Sequence, residues 1–136
     1  MATDAELSAT RECRCLAARR YARAVTRLFE ARLRPFGLRT TQFSVLAALA
    51  LKGPTPLTEL AGLLGLERTT LTRVAAVLER HAWIAAGRPR DARNRLLRLT
   101  AAGRRRLDAA FPAWEEGQRL AARQFPPAAL LRAVDA

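Results

Sequence analysis

Residues 58–80 read TELAGLLGLERTTLTRVAAVLER, and this stretch decides the fold. A hydroxyl that can cap a helix, Thr58, precedes the run Glu59-Leu60-Ala61-Gly62-Leu63-Leu64. Gly65 is a turn residue with apolar Leu66 behind it. A second helix is expected from about Glu67 to Arg80, with Leu71, Val74, Ala75 and Leu78 on its apolar face. Arg68, Thr69, Thr70, Thr72 and Arg73 remain for the opposite face. A short helix, a tight glycine turn and a second helix with a polar leading end make a helix-turn-helix. Two solvated helices of an all-α domain would read similarly, so the flanking sequence has to arbitrate.

Downstream, Trp83-Ile84-Ala85 and Leu96, Leu97 and Leu99 are short apolar runs around a Gly/Pro/Asp/Asn segment, residues 87–95. That pattern predicts a β-hairpin. Its tip carries Arg88, Arg90, Arg93 and Arg95. Arginines can blunt an exposed sheet edge, but beside a recognition helix they suit the narrow, strongly negative minor groove. Thr100 then opens a long helix with Arg104, Arg105 and Arg106 near its start, where cations oppose the helix dipole and a nearby phosphate backbone would relieve the conflict. Pro112 is expected to kink this helix, Pro126-Pro127 to end it, and residues 128–136 to add a last helical piece.

Upstream, a helix is expected from about Glu12 to Leu33, with a broad apolar face that includes Cys13, Leu16, Ala17, Arg20, Tyr21, Ala24, Val25, Leu28, Phe29 and Leu33. Arg14, Arg19, Arg23 and Arg27 occupy the rest. Pro35 and Gly37 break it, and Thr40 or Thr41 caps another helix that runs to about Leu51. Residues 1–10 read as frayed. The whole is one domain, mainly α with a small β-hairpin wing, in keeping with 136 residues that include 29 Ala and 22 Leu.

The formal charge of +12 comes from 23 Arg and Lys52 against 12 acids. Base composition can favour Arg over Lys, but it would spread the charge evenly. Residues 67–106 instead hold 11 Arg against Glu67, Glu79 and Asp91, two thirds of the net charge in 40 residues. Such clustering points to a polyanion, double-stranded DNA above all. A basic RNA-binding protein would show aromatic residues on a sheet, and here the strands offer only Trp83. No apolar run is long enough for a membrane span, and the start of the chain lacks a signal peptide's apolar segment, so a cytoplasmic protein is expected. One His and two Cys leave no material for a hydrolase triad, a metal site or a cofactor, so no enzyme is expected.

Taken together these residues resemble the MarR family of bacterial transcriptional regulators, from about Cys13 to Val134. The specific part is Asp91-Ala92-Arg93, then Leu97-Arg98-Leu99-Thr100, then Gly103, all following a helix-turn-helix. Gln42-Phe43, Val45-Leu46, Leu60-Ala61, Leu66, Thr69 to Arg73 and Leu78-Glu79 are consistent with it. The resemblance implies a homodimer on a pseudo-palindromic operator, with residues 12–39 and 107–136 as dimerisation helices and 40–106 as a winged helix-turn-helix lobe. It implies Arg68, Thr69, Thr70, Thr72 and Arg73 as major-groove and phosphate contacts, Arg93 as the minor-groove arginine, and Asp91 as the acid that orients the wing. On that basis Arg93→Ala should weaken operator binding, and Asp91→Ala should do so indirectly. Two departures stand out. Ala82 occupies a position where the family usually has glycine, and the last helix is shorter than the family's, which implies a smaller dimer interface.

The family resemblance leaves the effector open. A repressor released by a small aromatic or phenolic ligand would bind between the lobe and the dimer helices, where Arg20, Tyr21, Phe43 and His81 are the candidates. Alternatively, Cys15 is a thiol that senses organic hydroperoxides, with Arg14, Arg19 and Arg20 near it in sequence. Cys13 then reads as a small buried hydrophobe, and the two thiols, two residues apart on one helix, point away from each other. An architectural DNA-binding protein with no effector is the third reading.

Overall fold

Leu33, Val45, Leu46, Leu49, Leu60, Leu71, Leu78, Ile84 and Leu97 have almost no exposed surface, and all of the chain's central elements contribute to that cluster. The computed structural model describes residues 1–87 and 94–125. Its elements run α1 (Asp4–Ser8), a 3-10 turn (Ala9–Glu12), α2 (Arg14–Leu33), a 3-10 turn (Arg34–Phe36), α3 (Thr40–Lys52), β1 (Thr55–Pro56), α4 (Leu57–Leu64), α5 (Arg68–Arg80), β2 (Ile84–Ala86), β3 (Leu96–Leu99) and α6 (Ala101–Gln124). This is the expected mainly α fold with a small sheet. The anticipated last helical piece, residues 128–136, lies outside the described residues, as do Arg88, Arg90, Asp91 and Arg93.

The helix-turn-helix forms as its sequence dictates. Gly65 adopts a left-handed φ of 62°, and the N–H of Leu66 donates back to the carbonyl of Ala61 at 3.0 Å. The α5 stripe buries Leu71, Ala75 and Leu78, half-buries Val74, and leaves the other side to solvent. Glu67 caps α5 in extended backbone, and its carbonyl accepts the first helical bond, from the N–H of Leu71.

Several local expectations are corrected. Pro56, not Thr58, stands at the start of α4, so that helix begins at Leu57. Thr55-Pro56 pairs with the second hairpin strand, which makes a three-stranded antiparallel sheet of order β1-β3-β2 rather than a lone hairpin. Two residues of β1 carry too short a pattern to register as a strand, and Pro is admissible because β1 is an edge. Residues 4–12 are helical, with Thr3 as the cap. The N–H and hydroxyl of Thr3 donate to the Glu6 carboxylate at 2.8 and 3.0 Å, and the Glu6 N–H donates to the Thr3 hydroxyl. The two donors hold that exposed carboxyl below its ordinary range. Arg39 caps α3, and Thr40 instead donates its N–H and hydroxyl to Glu30 Oε1, both at 3.1 Å, which joins α3 to α2.

The α2 face is narrower than its sequence suggests. Phe29 and Leu33 are buried and Tyr21, Ala24, Val25 and Leu28 half-buried, whereas Arg20 is exposed and so is Cys13, which caps α2 rather than packing as a hydrophobe. Only Cys15 lies within the helix, so the two thiols are not fixed on opposite faces of one helix. α6 passes through Pro112 as one helix of 24 residues. Its early residues, Leu107 and Ala110, belong to the lobe core, while Gly117 lets α2 approach closely, its missing Cβ facing the Phe29 ring at 3.0 Å. The expected boundary between lobe and dimerisation helix at residues 106–107 thus falls within one continuous helix.

Ala82 has a φ of 57°, the chain's one non-glycine residue in the left-handed region among those described. It is the turn residue after α5, where the N–H of Trp83 returns to the carbonyl of Leu78 at 3.0 Å. A Cβ in that conformation costs about 1–2 kcal/mol. Ala82→Gly is therefore expected to raise stability by about 1 kcal/mol after the entropy of a freer unfolded chain is subtracted. A urea midpoint at or below the parent's would contradict this.

Candidate nucleic-acid interface

The exposed face of α5 carries Arg68, Thr69, Thr70, Thr72 and Arg73, and all five are solvent-accessible. The Thr72 hydroxyl donates to the carbonyl of Arg68 at 2.9 Å, which holds that side chain against its own helix with the methyl outward. These five residues lie in the first two turns, where the N-terminal dipole is positive and unpaired N–H groups face forward. A helix presented this way can enter a groove about 12 Å wide, with guanidiniums for guanine or phosphate and methyls for thymine.

The stem of the wing is pinned beside this helix. β3 lies between its two neighbours, with Ile84 opposite Leu99, Ala85 opposite Arg98 and Ala86 opposite Leu97. The Gly87 N–H donates to the carbonyl of Leu96 at 2.9 Å, and the Leu57 N–H to the carbonyl of Arg95 at 2.9 Å. The Thr58 hydroxyl meets Asn94 Oδ1 at 2.6 Å, so Thr58 anchors the wing rather than capping its helix. The expected contact residue Arg95 is directed to α5, where its guanidinium pairs with Glu79 Oε2 at 3.1 Å. The second Glu79 oxygen is buried without a partner among the described residues. Arg95 is thus a brace between wing stem and recognition helix in the free protein.

A second support runs through Trp83. His81 stacks on its ring at a centroid distance of 4.3 Å, and the Arg106 guanidinium lies 4.8 Å from the same ring's centroid. Arg106 also donates to the carbonyl of Phe36 at 3.0 Å, tying α6 to the turn after α2. Of the arginines expected near a phosphate backbone, Arg104 pairs with Asp108 at 3.0 Å, and Arg98 joins it in lining a shallow cleft over Gly53, Pro54 and Thr100. Arg98 enters the sequence reading only within the Leu97-Arg98-Leu99-Thr100 motif, because a strand residue gives no sign of its face until the register is known.

The candidate effector residues have separate surroundings. Phe43 is buried and stacks on Trp114 at 5.8 Å, Tyr21 meets the edge of Phe125 at 5.2 Å, His81 lies on Trp83, and Arg20 points outward from α2. Cys13 and Cys15 are both exposed, and the Arg19 guanidinium donates to Cys15 Sγ at 3.6 Å.

This geometry has close parallels among known proteins. The MarR family model matches residues 38–95, from just before α3 to the residue before β3. The Mycobacterium tuberculosis transcriptional regulator MosR, solved in complex with DNA, is 37% identical, with 90% of this chain and 91% of that one aligned and a TM-score of 0.78. The chain belongs to the MarR family. Another MarR-like neighbour, AbfR, has been solved reduced and overoxidized, each time bound to DNA. Its overoxidized form is 27% identical, with 84% of this chain and 85% of that one covered and a TM-score of 0.70. A curated relative, the HTH-type transcriptional regulator YwoH of Bacillus subtilis, is 35% identical over 79 residues, a match that spans 58% of each protein's length. In this MarR chain the family model ends at Arg95, while α6 and α2, which flank the lobe, lie outside the matched residues.

Proposed function

We propose that this chain is a sequence-specific DNA-binding transcriptional regulator that acts as a homodimer, most simply a repressor. The observation that carries the reading is the solvent-facing row on α5, Arg68 to Arg73, with a wing stem braced to the same helix by Arg95 and Glu79. Two such helices related by a two-fold axis read half-sites one or two helical turns apart, which calls for a pseudo-palindromic operator. The relatives solved on DNA support the same use of this fold. Exposed Phe111 on α6 and the solvent-facing start of α2 supply apolar surface for dimerisation.

The test is binding of the purified protein to DNA flanking its own gene, against unrelated duplex at equal salt. The Arg93→Ala and Asp91→Ala variants should both bind the operator less tightly, the first by about 1–3 kcal/mol. Undiminished binding by both would remove the wing from the interface.

For the signal that releases DNA, one observation favours the thiol over an aromatic acid. Cys15 is exposed with a guanidinium on its sulfur, whereas Tyr21, Phe43 and His81 pack on separate aromatic partners and Arg20 faces outward. An exposed sulfur is open to a peroxide, whose attack starts the cysteine oxidation ladder. An organic hydroperoxide is expected to weaken operator binding about tenfold or more, a usual size for coupling between sites. Cys15→Ser should abolish that response and leave unoxidised binding intact. If the serine variant responds like the parent, or if a salicylate-like acid releases DNA and peroxide does not, the thiol is not the sensor. Indifference to every addition would make this an architectural DNA-binding protein.

A further inference from the structure

α5 carries three arginines and a single acid, Glu79. An acid on a helix that faces a polyanion works against binding, so its place calls for a physical reason. At 100° per residue Glu79 stands within about 20° of both Arg68 and Thr72, and about 10 Å behind Thr72 along the helix axis. It lies on their flank of α5, at the rear of the contact face. Its neighbours Ala75 and Leu78 are buried, and so is its own Oε1. Its Oε2 accepts from the Arg95 guanidinium at 3.1 Å. The carboxylate is thus directed into the protein.

Arg95 stands just before β3. Three residue pairs join β2 to β3, and so short a hairpin is marginal by itself. Residues 94 and 95 supply the missing ties. The Arg95 carbonyl accepts the Leu57 N–H at 2.9 Å, and Asn94 Oδ1 meets the Thr58 hydroxyl at 2.6 Å, both at the start of α4. The Arg95 side chain reaches α5 instead. Two adjacent residues therefore fasten the wing stem to both helices of the helix-turn-helix. The tie to α5 is an ion pair between partly buried side chains, 39% and 28% exposed, where salt screens less than at an open surface.

We propose that Glu79 is a positioning residue for DNA binding: through Arg95 it holds the wing stem at a set distance from the contact face of α5, and it touches no DNA itself. The proposal rests on the DNA-binding reading above, with the operator duplex as the one partner. A stem fixed beforehand lets α5 and the wing meet their two grooves together, with less ordering left to occur on binding. Arg95 stays a strut in the complex and is not a phosphate contact.

The experiment measures binding over a salt series for the parent, Glu79→Gln, Arg95→Gln, Arg95→Lys, and Arg93→Ala with and without Glu79→Gln. Each is titrated on the full operator, on an operator shortened at both ends to the half-sites that α5 reads, and on an unrelated duplex. Charge alone predicts that Glu79→Gln tightens binding, because a negative group leaves a lobe that meets phosphate. The strut predicts the opposite sign, a loss of about tenfold on the full operator. On the short operator Glu79→Gln should stay within about twofold of the parent, and so should its added effect in the Arg93→Ala background, since both substitutions act through the wing. The salt slope should not change, as no phosphate contact is lost. Arg95→Gln should match Glu79→Gln, and Arg95→Lys should recover most of the loss, since an ammonium still pairs with the carboxylate. In the free protein the Leu57 and Gly87 amides, which donate to Arg95 and Leu96, should exchange faster in Glu79→Gln.

Operator binding by Glu79→Gln that equals or exceeds the parent's overturns the proposal. So does a loss of the same size on the full and shortened operators, because the change would then act on α5 or on the whole fold. A salt slope lower by about one unit per protomer in Arg95→Gln, with Glu79→Gln unimpaired, would make Arg95 a phosphate contact instead. Amide protection equal to the parent's would mean that the stem does not depend on the pair. Failure of the regulator reading shows separately, in the parent alone, as equal binding to operator and unrelated duplex.

Discussion

Replacing Gly103 with alanine is expected to destabilise the protein by about 3 kcal/mol or more, the upper range for forced overpacking. A Cβ built on Gly103 runs into the carbonyl oxygen of Trp83, and it also comes within 2.8 Å of Leu99 Cδ1. Neither obstacle can step aside cheaply. The Trp83 carbonyl is backbone and already accepts the Thr100 N–H at 3.1 Å. The Thr100 hydroxyl is likewise engaged, accepting from the Gly103 N–H at 3.0 Å and donating to the carbonyl of Ala82 at 2.6 Å. The first turn of α6 is thus clamped on the strained turn at Ala82 and on the start of β2. Moving α6 outward would open the core at Leu107 and Ala110. A chemical denaturation midpoint close to the parent's would mean that α6 can slide without cost, contrary to this packing.

The second large effect is on binding. Arg73→Ala should weaken operator binding by about 1–3 kcal/mol, roughly tenfold to a hundredfold, while leaving the thermal midpoint nearly unchanged. The side chain is exposed on the second turn of α5, on the side away from buried Leu71, Ala75 and Leu78. Folding therefore has little use for it, and its removal opens no cavity. Two causes of the loss are distinguishable. If Arg73 reads a guanine, operator affinity falls and affinity for unrelated duplex hardly changes. If it holds a phosphate, both fall together and the salt slope drops by about one unit per protomer. Operator affinity that survives the substitution, measured by fluorescence anisotropy at fixed salt, would argue that α5 does not enter the groove.

Ala82 and Gly103 explain each other. Glycine would be the relaxed choice at a left-handed position, but the chain has alanine there and places glycine at 103, where α6 touches the Trp83 backbone. Strain at the turn is held in place by the bonds from Thr100, so Ala82→Gly and Gly103→Ala should have opposite signs although they act on the same junction.

Residues 58–80 determine by themselves a helix, a glycine turn and a second helix, because Gly65 and the Leu71–Leu78 stripe are local and periodic signals. The clustering of arginine after Glu67 likewise announces a polyanion from residue order alone. The left-handed Ala82 is marked by the family resemblance, which usually has glycine there, and not by the local pattern. The tertiary structure alone decides where individual cations go. Arg95 braces Glu79, Arg106 covers Trp83, and Arg20 stands exposed on α2 instead of joining an apolar face. It also decides that Thr55-Pro56 is a strand and that Phe43, Tyr21 and His81 have separate aromatic partners. The physical reason is range: turns and amphipathic periods are written within a few residues. A guanidinium on a long flexible stem takes its partner from whatever the fold brings within reach, across 16 residues for Arg95 and 70 for Arg106.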